Sequence, residues 1–145
     1  MIKEFKGEYR WLSNFWPCTI DYDGHVFPSV EHAYQANKCL YEEDFLKVKS
    51  LESPGKAKRF GSTVWIINDW ERIKMDIMYD LLRIKFSIPE LKQKLLETEE
   101  KDIQEGNYWN DSFWGIDLKT GKGDNNLGKL IMKVRSELLG KEGSL

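Results

Sequence analysis

Residues that commonly build metal centres are scarce in this chain. It contains two cysteines and two histidines among 145 residues. Cys18 and Cys39 form no Cys-x-x-Cys pair, so the two histidines do not complete a Cys/His metal cluster with them. We therefore expect two reduced thiols, as in a cytoplasmic protein, and neither a metal nor another cofactor.

Long hydrophobic runs are missing as well. The longest unbroken apolar run covers residues 64–67, whereas a membrane helix needs about 20 mostly apolar residues. The first eight residues also lack the apolar centre of a secretory signal. These absences predict a cytoplasmic protein with no membrane partner.

An excess of charge of one sign is also lacking. The chain has 22 basic and 24 acidic residues, a formal net charge of −2. This balance excludes a strongly basic protein that holds nucleic acid by its overall field. What the chain has in quantity is aromatic side chains: six Trp, six Tyr and seven Phe. The proportions of charged and hydrophobic residues, 32% and 41%, are typical of a globular domain.

Local signals predict a hairpin followed by a helix near the start of the chain. Asp23 and Gly24 lie between two β-prone runs and tolerate the positive φ angles of a tight turn, which predicts a hairpin over residues 19–27. Ser29 is a good N-cap for a helix that we expect to run to about Leu40.

Most of the remaining chain shows helical patterns. Short helices are predicted over residues 43–51, 54–60 and 89–98, and a last helix from about residue 126. The longest helix carries an apolar stripe with helical spacing at Trp70, Ile73, Ile77, Leu81 and Ile84. Met78, Leu82 and Phe86 widen this face, which predicts a helix central to the core. We expect a predominantly helical α+β fold with a small antiparallel β component. One compact domain over residues 1–145 is expected, with a frayed tail at 140–145.

Residues 31–38 place chemically useful side chains on one helix face. At 3.6 residues per turn, Glu31, Gln35 and Lys38 align. On the surface, Glu31 and Lys38 would form an ordinary charge pattern of little energetic value. In a pocket, Lys38 would be desolvated and become an amine that attacks a carbonyl, with Glu31 as acid or base. Spacing alone favours the surface pattern.

Residues 108–115 form an aromatic loop with polar side chains between the rings. Such a loop can stack a planar base or a sugar while Asp111 faces it. Equally, Trp114 can fill the core while Asp111 makes an Asx turn. Residues 11–17 are a second aromatic segment, which is either a loop pinned by its aromatics or another wall of a pocket. The helix start at residues 124–126 can receive a phosphate or carboxylate on free N–H groups.

Taken together, these segments resemble the NADAR family of YbiA-like proteins. The resemblance covers about residues 5–139. It is carried by eight motifs in the same order: Trp11-Leu12-Ser13-Asn14-Phe15, Tyr22-Asp23-Gly24, Glu31-His32-Ala33-Tyr34-Gln35-Ala36-x-Lys38, Ala57-x-x-Phe60-Gly61, Asp69-Trp70, Lys85-Phe86, Asp111-x-x-Trp114-Gly115 and Asn126-Leu127-Gly128.

The resemblance implies a YbiA-like N-glycosidase that hydrolyses the bond between ribose C1 and nitrogen in ribosylamino-pyrimidine phosphates, which are intermediates of riboflavin biosynthesis. Two alternatives stay open. One is a hydrolase that removes ADP-ribose from guanine in nucleic acid. The other is a non-catalytic module that binds ADP-ribose or a nucleotide. The expected partner is a small ribosyl phosphate or ADP-ribosyl substrate, and nucleic acid enters only as a modified substrate.

The resemblance also implies the residues of the site. Glu31, Lys38 and Asp111 are the expected catalytic residues. Glu31 and Asp111 suit an oxocarbenium-like route that uses two carboxylates. Lys38 suits a route through a Schiff base with C1, in which Glu31 moves the protons. The expected substrate-binding residues are Asn14, Phe15, Trp70, Trp114, Gly115, Asn126 and Gly128.

Overall fold

The computed structural model describes residues 1–143, and side chains as far as residue 140. About 51% of the chain is helical and the sheets are small, so the predicted α+β, predominantly helical class is confirmed. The elements are a 3₁₀ helix (Gly7–Leu12), β1 (Ile20–Tyr22), β2 (His25–Phe27), α1 (Val30–Asn37), α2 (Glu42–Ser50), α3 (Pro54–Gly61), α4 (Trp70–Lys85), α5 (Pro89–Glu97), β3 (Gly106–Asn107), β4 (Ile116–Asp117) and α6 (Asn126–Gly143).

The chain folds into two compact units. Residues 14–85 form one unit, and residues 1–13 together with the chain from residue 86 onward form the other. A single domain over residues 1–145 stays a prediction. Because α6 reaches Gly143, residues 140–143 of the expected frayed tail are helical. Residues 144 and 145 lie outside the described residues.

The predicted hairpin opens the unit formed by residues 14–85. Strands β1 and β2 pair antiparallel with Tyr22 opposite His25. Asp23 and Gly24 have φ angles of 51° and 82°, as a two-residue turn with the right-handed twist of the strands requires.

Helix α1 lies at the centre of the same unit. It packs against α2, α3 and α4, and every residue from Val30 to Ala36 is buried. Ser29 caps it as predicted, since its hydroxyl accepts the N–H of His32. The helix ends at Asn37 rather than near Leu40. The backbone beyond Lys38 instead pairs with another segment, with the Leu40 N–H donating to the Trp65 carbonyl.

The buried face of α4 differs from the predicted stripe. Trp70 and Leu81 are buried as expected, but Ile73, Ile77 and Ile84 are only half-buried. Met78, Leu82 and Phe86, which widen the predicted face, are all buried. The core side of the helix therefore lies toward these widening residues, and it also buries Lys85, a lysine that the apolar pattern does not reveal.

The other unit corrects the expected β component. Strands β3 and β4 pair parallel, with Gly106 opposite Ile116. The loop between them bends back because both ends of the Asn107 side-chain amide bond the backbone of Asp111. The chain therefore re-enters beside β3 in the same direction. Helices α5 and α6 pack together in this unit.

Candidate active site

Glu31 is a buried carboxylate in the first turn of α1. Glu31 is only 7% exposed. Its position near the N-terminus of the helix favours a negative charge. Its backbone N–H donates to the carbonyl of Asn14 at 3.0 Å. The loop before β1 therefore holds the start of α1 in place.

Gln35 and Lys38 continue the same face of α1. The side-chain Nε2 of Gln35 donates to Oε1 of Glu31 at 3.4 Å. Lys38 is half-buried. Desolvation lowers the pKa of its ammonium group, and the charge of Glu31 raises it in part. A lowered pKa increases the fraction of uncharged amine at neutral pH. The burial of α1 thus overturns the surface charge pattern that spacing alone favours.

His32 connects α1 to the end of α2. Its Nε2 lies 2.8 Å from the carbonyl of Leu51, and its Nδ1 lies 2.6 Å from Oγ of Ser29. Because a carbonyl can only accept, Nε2 carries the proton and Nδ1 accepts from the serine hydroxyl. Burial lowers the pKa of His32, and the hydrogen bond to Leu51 raises it in part. The imidazole thus serves the packing of α1.

The expected binding residues of this unit differ in accessibility. Trp70 is 5% exposed, and its ring centroid lies 5.0 Å from that of Tyr34 on α1. Phe15 is 39% exposed, with Nζ of Lys58 6.0 Å from its ring centroid. Asn14 donates from Nδ2 to the Met78 sulfur at 3.5 Å. The Phe15 ring is therefore more exposed than that of Trp70, whereas Trp70 and Asn14 also hold α1 and α4 together.

In the other unit, Asp111 organises its own loop. Its Oδ1 accepts the N–H of Phe113 at 3.1 Å and the N–H of Trp114 at 2.9 Å. This is the Asx turn that the sequence allows. The arrangement shows a structural role for Oδ1, and it does not by itself indicate catalysis.

Asn107 completes this loop and was missed by sequence reasoning. It is 1% exposed, and its Nδ2 also donates to Oε2 of Glu105 at 2.9 Å. The signal that could have found it is its position four residues before Asp111. Gly115 is needed at the far end of the loop, since a Cβ there would overlap Glu105. Next to it, the half-buried Trp114 ring meets that of Phe113 edge-on at 4.8 Å.

The start of α6 is not an open anion site. The N–H of Asn126 donates to the carbonyl of Phe113, and the N–H of Leu127 to that of Trp114. The two groups are therefore occupied by protein carbonyls, which corrects the expectation of free N–H groups there. Gly128 allows close packing, because a Cβ would overlap the carbonyl of Ile103.

Neither cysteine is poised for nucleophilic attack. Burial raises the pKa of Cys39 to about 11, with Asp44 adding to the rise and Lys38 opposing it. Burial also raises the pKa of Cys18, and the nearby Lys85 lowers it in part. Both thiols therefore stay protonated at neutral pH.

The described part of the chain offers neither a metal cluster nor a membrane-spanning helix. Within it, no three His, Cys, Asp or Glu side chains are grouped to hold a metal ion. Across residues 1–143, no helix is both long enough and apolar enough to span a bilayer.

Comparison with known proteins decides the family. The NADAR domain matches residues 2–139. The chain belongs to the NADAR family. The N-glycosidase YbiA of Escherichia coli is 37% identical over 134 residues, covering 90% of this chain and 82% of YbiA. The solved structure of E. coli YbiA superposes with a TM-score of 0.85 at 32% identity and covers 98% of this chain and 89% of that chain.

Two longer relatives of this NADAR chain are named riboflavin biosynthesis proteins. A riboflavin biosynthesis protein of Vibrio vulnificus is 36% identical over 136 residues, which cover 90% of this chain but 36% of that protein. The chloroplastic riboflavin biosynthesis protein PYRR of Zea mays is 38% identical, and the match covers 23% of its length. The chain thus spans about a third and a quarter of these two relatives.

Proposed function

We propose that this NADAR protein is an N-glycosidase that hydrolyses the ribose C1–N bond of ribosylamino-pyrimidine phosphates. The observation that carries the proposal is the buried Glu31 carboxylate, which interacts electrostatically with the desolvated Lys38 amine on α1. A buried carboxylate beside an amine of lowered pKa on one helix face suits proton transfer and attack at a carbonyl-like carbon. Relatives named N-glycosidase and riboflavin biosynthesis protein support the same reaction and substrate class.

The preferred route passes through the ring-opened sugar. In that form C1 is an imine carbon bonded to the pyrimidine nitrogen, and the uncharged Lys38 amine adds to it. The Glu31 carboxylate takes up the protons that the Lys38 nitrogen loses and passes them to the leaving nitrogen. The bond between C1 and that nitrogen breaks, the aminopyrimidine departs, and Lys38 remains bound to C1 as an imine. Water then adds to the Lys38 imine and loses a proton to Glu31. The pentose phosphate leaves and the Lys38 amine is free again. In the overall reaction one water molecule is added across the C1–N bond.

Asp111 belongs to the second route. Paired carboxylates would protonate the nitrogen and stabilise positive charge at C1. In this loop Oδ1 of Asp111 already accepts two backbone N–H groups, so only Oδ2 would be left to face a substrate. This occupancy favours the Glu31 and Lys38 route and leaves Asp111 the role of shaping its own loop.

The experiment that tests the reaction is a product assay with two substrates. The protein is incubated with a ribosylamino-pyrimidine phosphate and, separately, with DNA that carries ADP-ribosylated guanine, and released products are identified by mass. We expect free aminopyrimidine from the first. Release of ADP-ribose from the DNA alone would move the substrate to the alternative. Turnover of neither would favour a binding module.

Borohydride trapping separates the two routes. Reduction during turnover would leave a pentose phosphate attached to Lys38, visible as an added mass on the peptide that contains it. The matched control is Lys56→Arg, which changes an exposed lysine of the same unit. Full turnover without any adduct on Lys38 would contradict the Schiff base and favour the two-carboxylate route.

A further inference from the structure

Gln35 is a buried side chain of the site to which the proposed reaction gives no part. It lies one helical turn after Glu31, so both side chains share one face of α1. It is 6% exposed, and its Nε2 donates to Oε1 of Glu31. Its other amide atom, Oε1, is buried and accepts no hydrogen bond from the described part of the chain.

An apolar residue would serve the packing better than this amide does. A buried acceptor without a partner costs about 1–3 kcal/mol, a cost that leucine or methionine at position 35 would avoid. The packing of α1 alone therefore gives no reason for glutamine. The donor to Glu31 is the part of the side chain that an apolar residue could not replace.

Gly61 at the end of α3 controls where this amide can go. Gly61 is buried, and a Cβ added there would overlap the Oε1 and Cδ atoms of Gln35. The absence of a side chain thus makes the room in which the Gln35 oxygen rests. With the oxygen seated against the backbone of Gly61, the nitrogen points toward Glu31.

We propose that Gln35 is a positioning residue that fixes the Glu31 carboxylate, and that Gly61 holds Gln35 in turn. The inference rests on the proposed role of Glu31 in the reaction. A donor on Oε1 restrains rotation of the Glu31 carboxylate about its last side-chain bond. Loss of that donor lets the carboxylate rotate, which lowers the rate of the chemical step more than it weakens substrate binding.

The first test changes Gly61 and leaves α1 untouched. In Gly61→Ala the new methyl group displaces the Gln35 amide, and we expect kcat to fall between about tenfold and 100-fold with KM changed by less than about twofold. Gly55→Ala is the matched control, because Gly55 lies on the same helix and a Cβ there meets nothing within 4 Å. A kcat that is equal in both variants would overturn the proposal.

The second test separates positioning from packing. Gln35→Leu removes the donor to Glu31, which costs stability, and the unpartnered oxygen, which restores it, so we expect little net change in stability but a similarly lowered kcat. A purely structural role would lower stability and kcat together. In the double variant Gly61→Ala with Gln35→Ala, the clash is gone, so stability should recover while kcat stays low.

Two reference measurements keep the failures apart. If Glu31→Gln is inactive and Gln35→Leu keeps the wild-type kcat, the positioning role is wrong and the proposed function stands. If Glu31→Gln is fully active, the proposed catalytic role fails and the inference falls with it. The ¹³C resonance of the Glu31 carboxyl needs no substrate: it should shift in Gln35→Leu and not in Gly55→Ala, and an unshifted signal in Gln35→Leu would overturn the contact.

Discussion

Two lysines of the unit formed by residues 14–85 meet very different surroundings. Lys38 is half-buried and interacts with the charge of Glu31. Lys85 is fully buried, and burial lowers its pKa to about 7, with the nearby Cys18 opposing the change in part. A buried amine is costly while it is charged. The proposed reaction uses Lys38. Lys85 instead affects how the free energy of unfolding depends on pH.

We predict that Lys85 makes the protein more stable as the pH rises from about 7 to about 10. Below pH 7 the lysine is protonated in both the folded and the unfolded state, so the cost of burying its charge is fully present. Above pH 7 the folded state releases a proton that the unfolded chain retains until about 10.4, and the free energy of unfolding rises. Urea unfolding of wild type and Lys85→Met at several pH values measures this.

The variant and a control make the prediction specific. Lys85→Met should be more stable than wild type by a few kcal/mol near pH 6, with the difference shrinking toward pH 10. Lys94→Met, which changes an exposed lysine on α5, should follow the wild-type curve. A pH-independent difference between Lys85→Met and wild type would mean that Lys85 titrates normally.

At the scale of elements, an N-cap fixes where α1, the helix that carries Glu31, begins. Ser29 caps α1 and Ser53 caps α3, each by accepting an N–H three residues later. The bond at Ser29 is buried and that at Ser53 is exposed. Ser29 also donates to Nδ1 of His32, which continues to the carbonyl of Leu51. The start of α1, and with it Glu31, therefore depends on a connected set of hydrogen bonds.

The two caps should differ in energetic value. We predict that Ser53→Ala lowers the free energy of unfolding by about 1 kcal/mol or less. Ser29→Ala should cost about 2 kcal/mol or more, because it also leaves a buried ring nitrogen of His32 without its donor. Chemical denaturation of both variants measures the difference. Equal losses would show that the connection through His32 adds nothing to the cap.

His32 makes the stability depend on pH in a lower pH range than Lys85 does. Because the pKa of His32 is lowered on folding, the unfolded state binds more protons once the pH falls below about 6.5. The free energy of unfolding should therefore decrease as the pH is lowered from about 6.5 to the pKa of His32 in the folded state. In His32→Asn this part of the pH–stability curve should flatten, and an unchanged slope in urea titrations would contradict the buried neutral imidazole.

At the scale of the whole molecule, the near-neutral charge bears on the substrate. With a net charge of −2, we predict that KM for a ribosylamino-pyrimidine phosphate rises less than about tenfold between 50 and 200 mM NaCl. A protein that contacts six to ten phosphates of a nucleic acid loses about 10³–10⁵ in affinity over that range. Steady-state kinetics at several salt concentrations measures the slope. A loss of that larger size would point to a polyanionic substrate.

Sequence reasoning predicted the features that depend on neighbouring residues. Asp23 and Gly24 specify their turn by local backbone preference, and Ser29 specifies its cap in the same way. It missed features that arise when distant segments meet. The fit of Gln35 against Gly61 and the burial of Lys85 depend on helix packing. The parallel pairing of β3 with β4 depends on the bonds that Asn107 makes across its loop.

The candidate site divides along the same line. The alignment of Glu31, Gln35 and Lys38 follows from helical periodicity, but spacing could not show that α1 is buried between three other helices. The polar N–H groups near Asn126 are open in an isolated helix and occupied in the folded chain. The sequence therefore shows which residues share a helix face. How far each is exposed to water depends on the packing of the folded unit and could not be predicted.

The central claim is that the buried Glu31 carboxylate and the Lys38 amine cleave an N-glycosidic bond. The most direct test is the rate at which Glu31→Gln and Lys38→Ala release free aminopyrimidine from a ribosylamino-pyrimidine phosphate, compared with wild type. We predict that each variant folds and loses at least about 100-fold in kcat. Near-normal release by both variants would contradict the account.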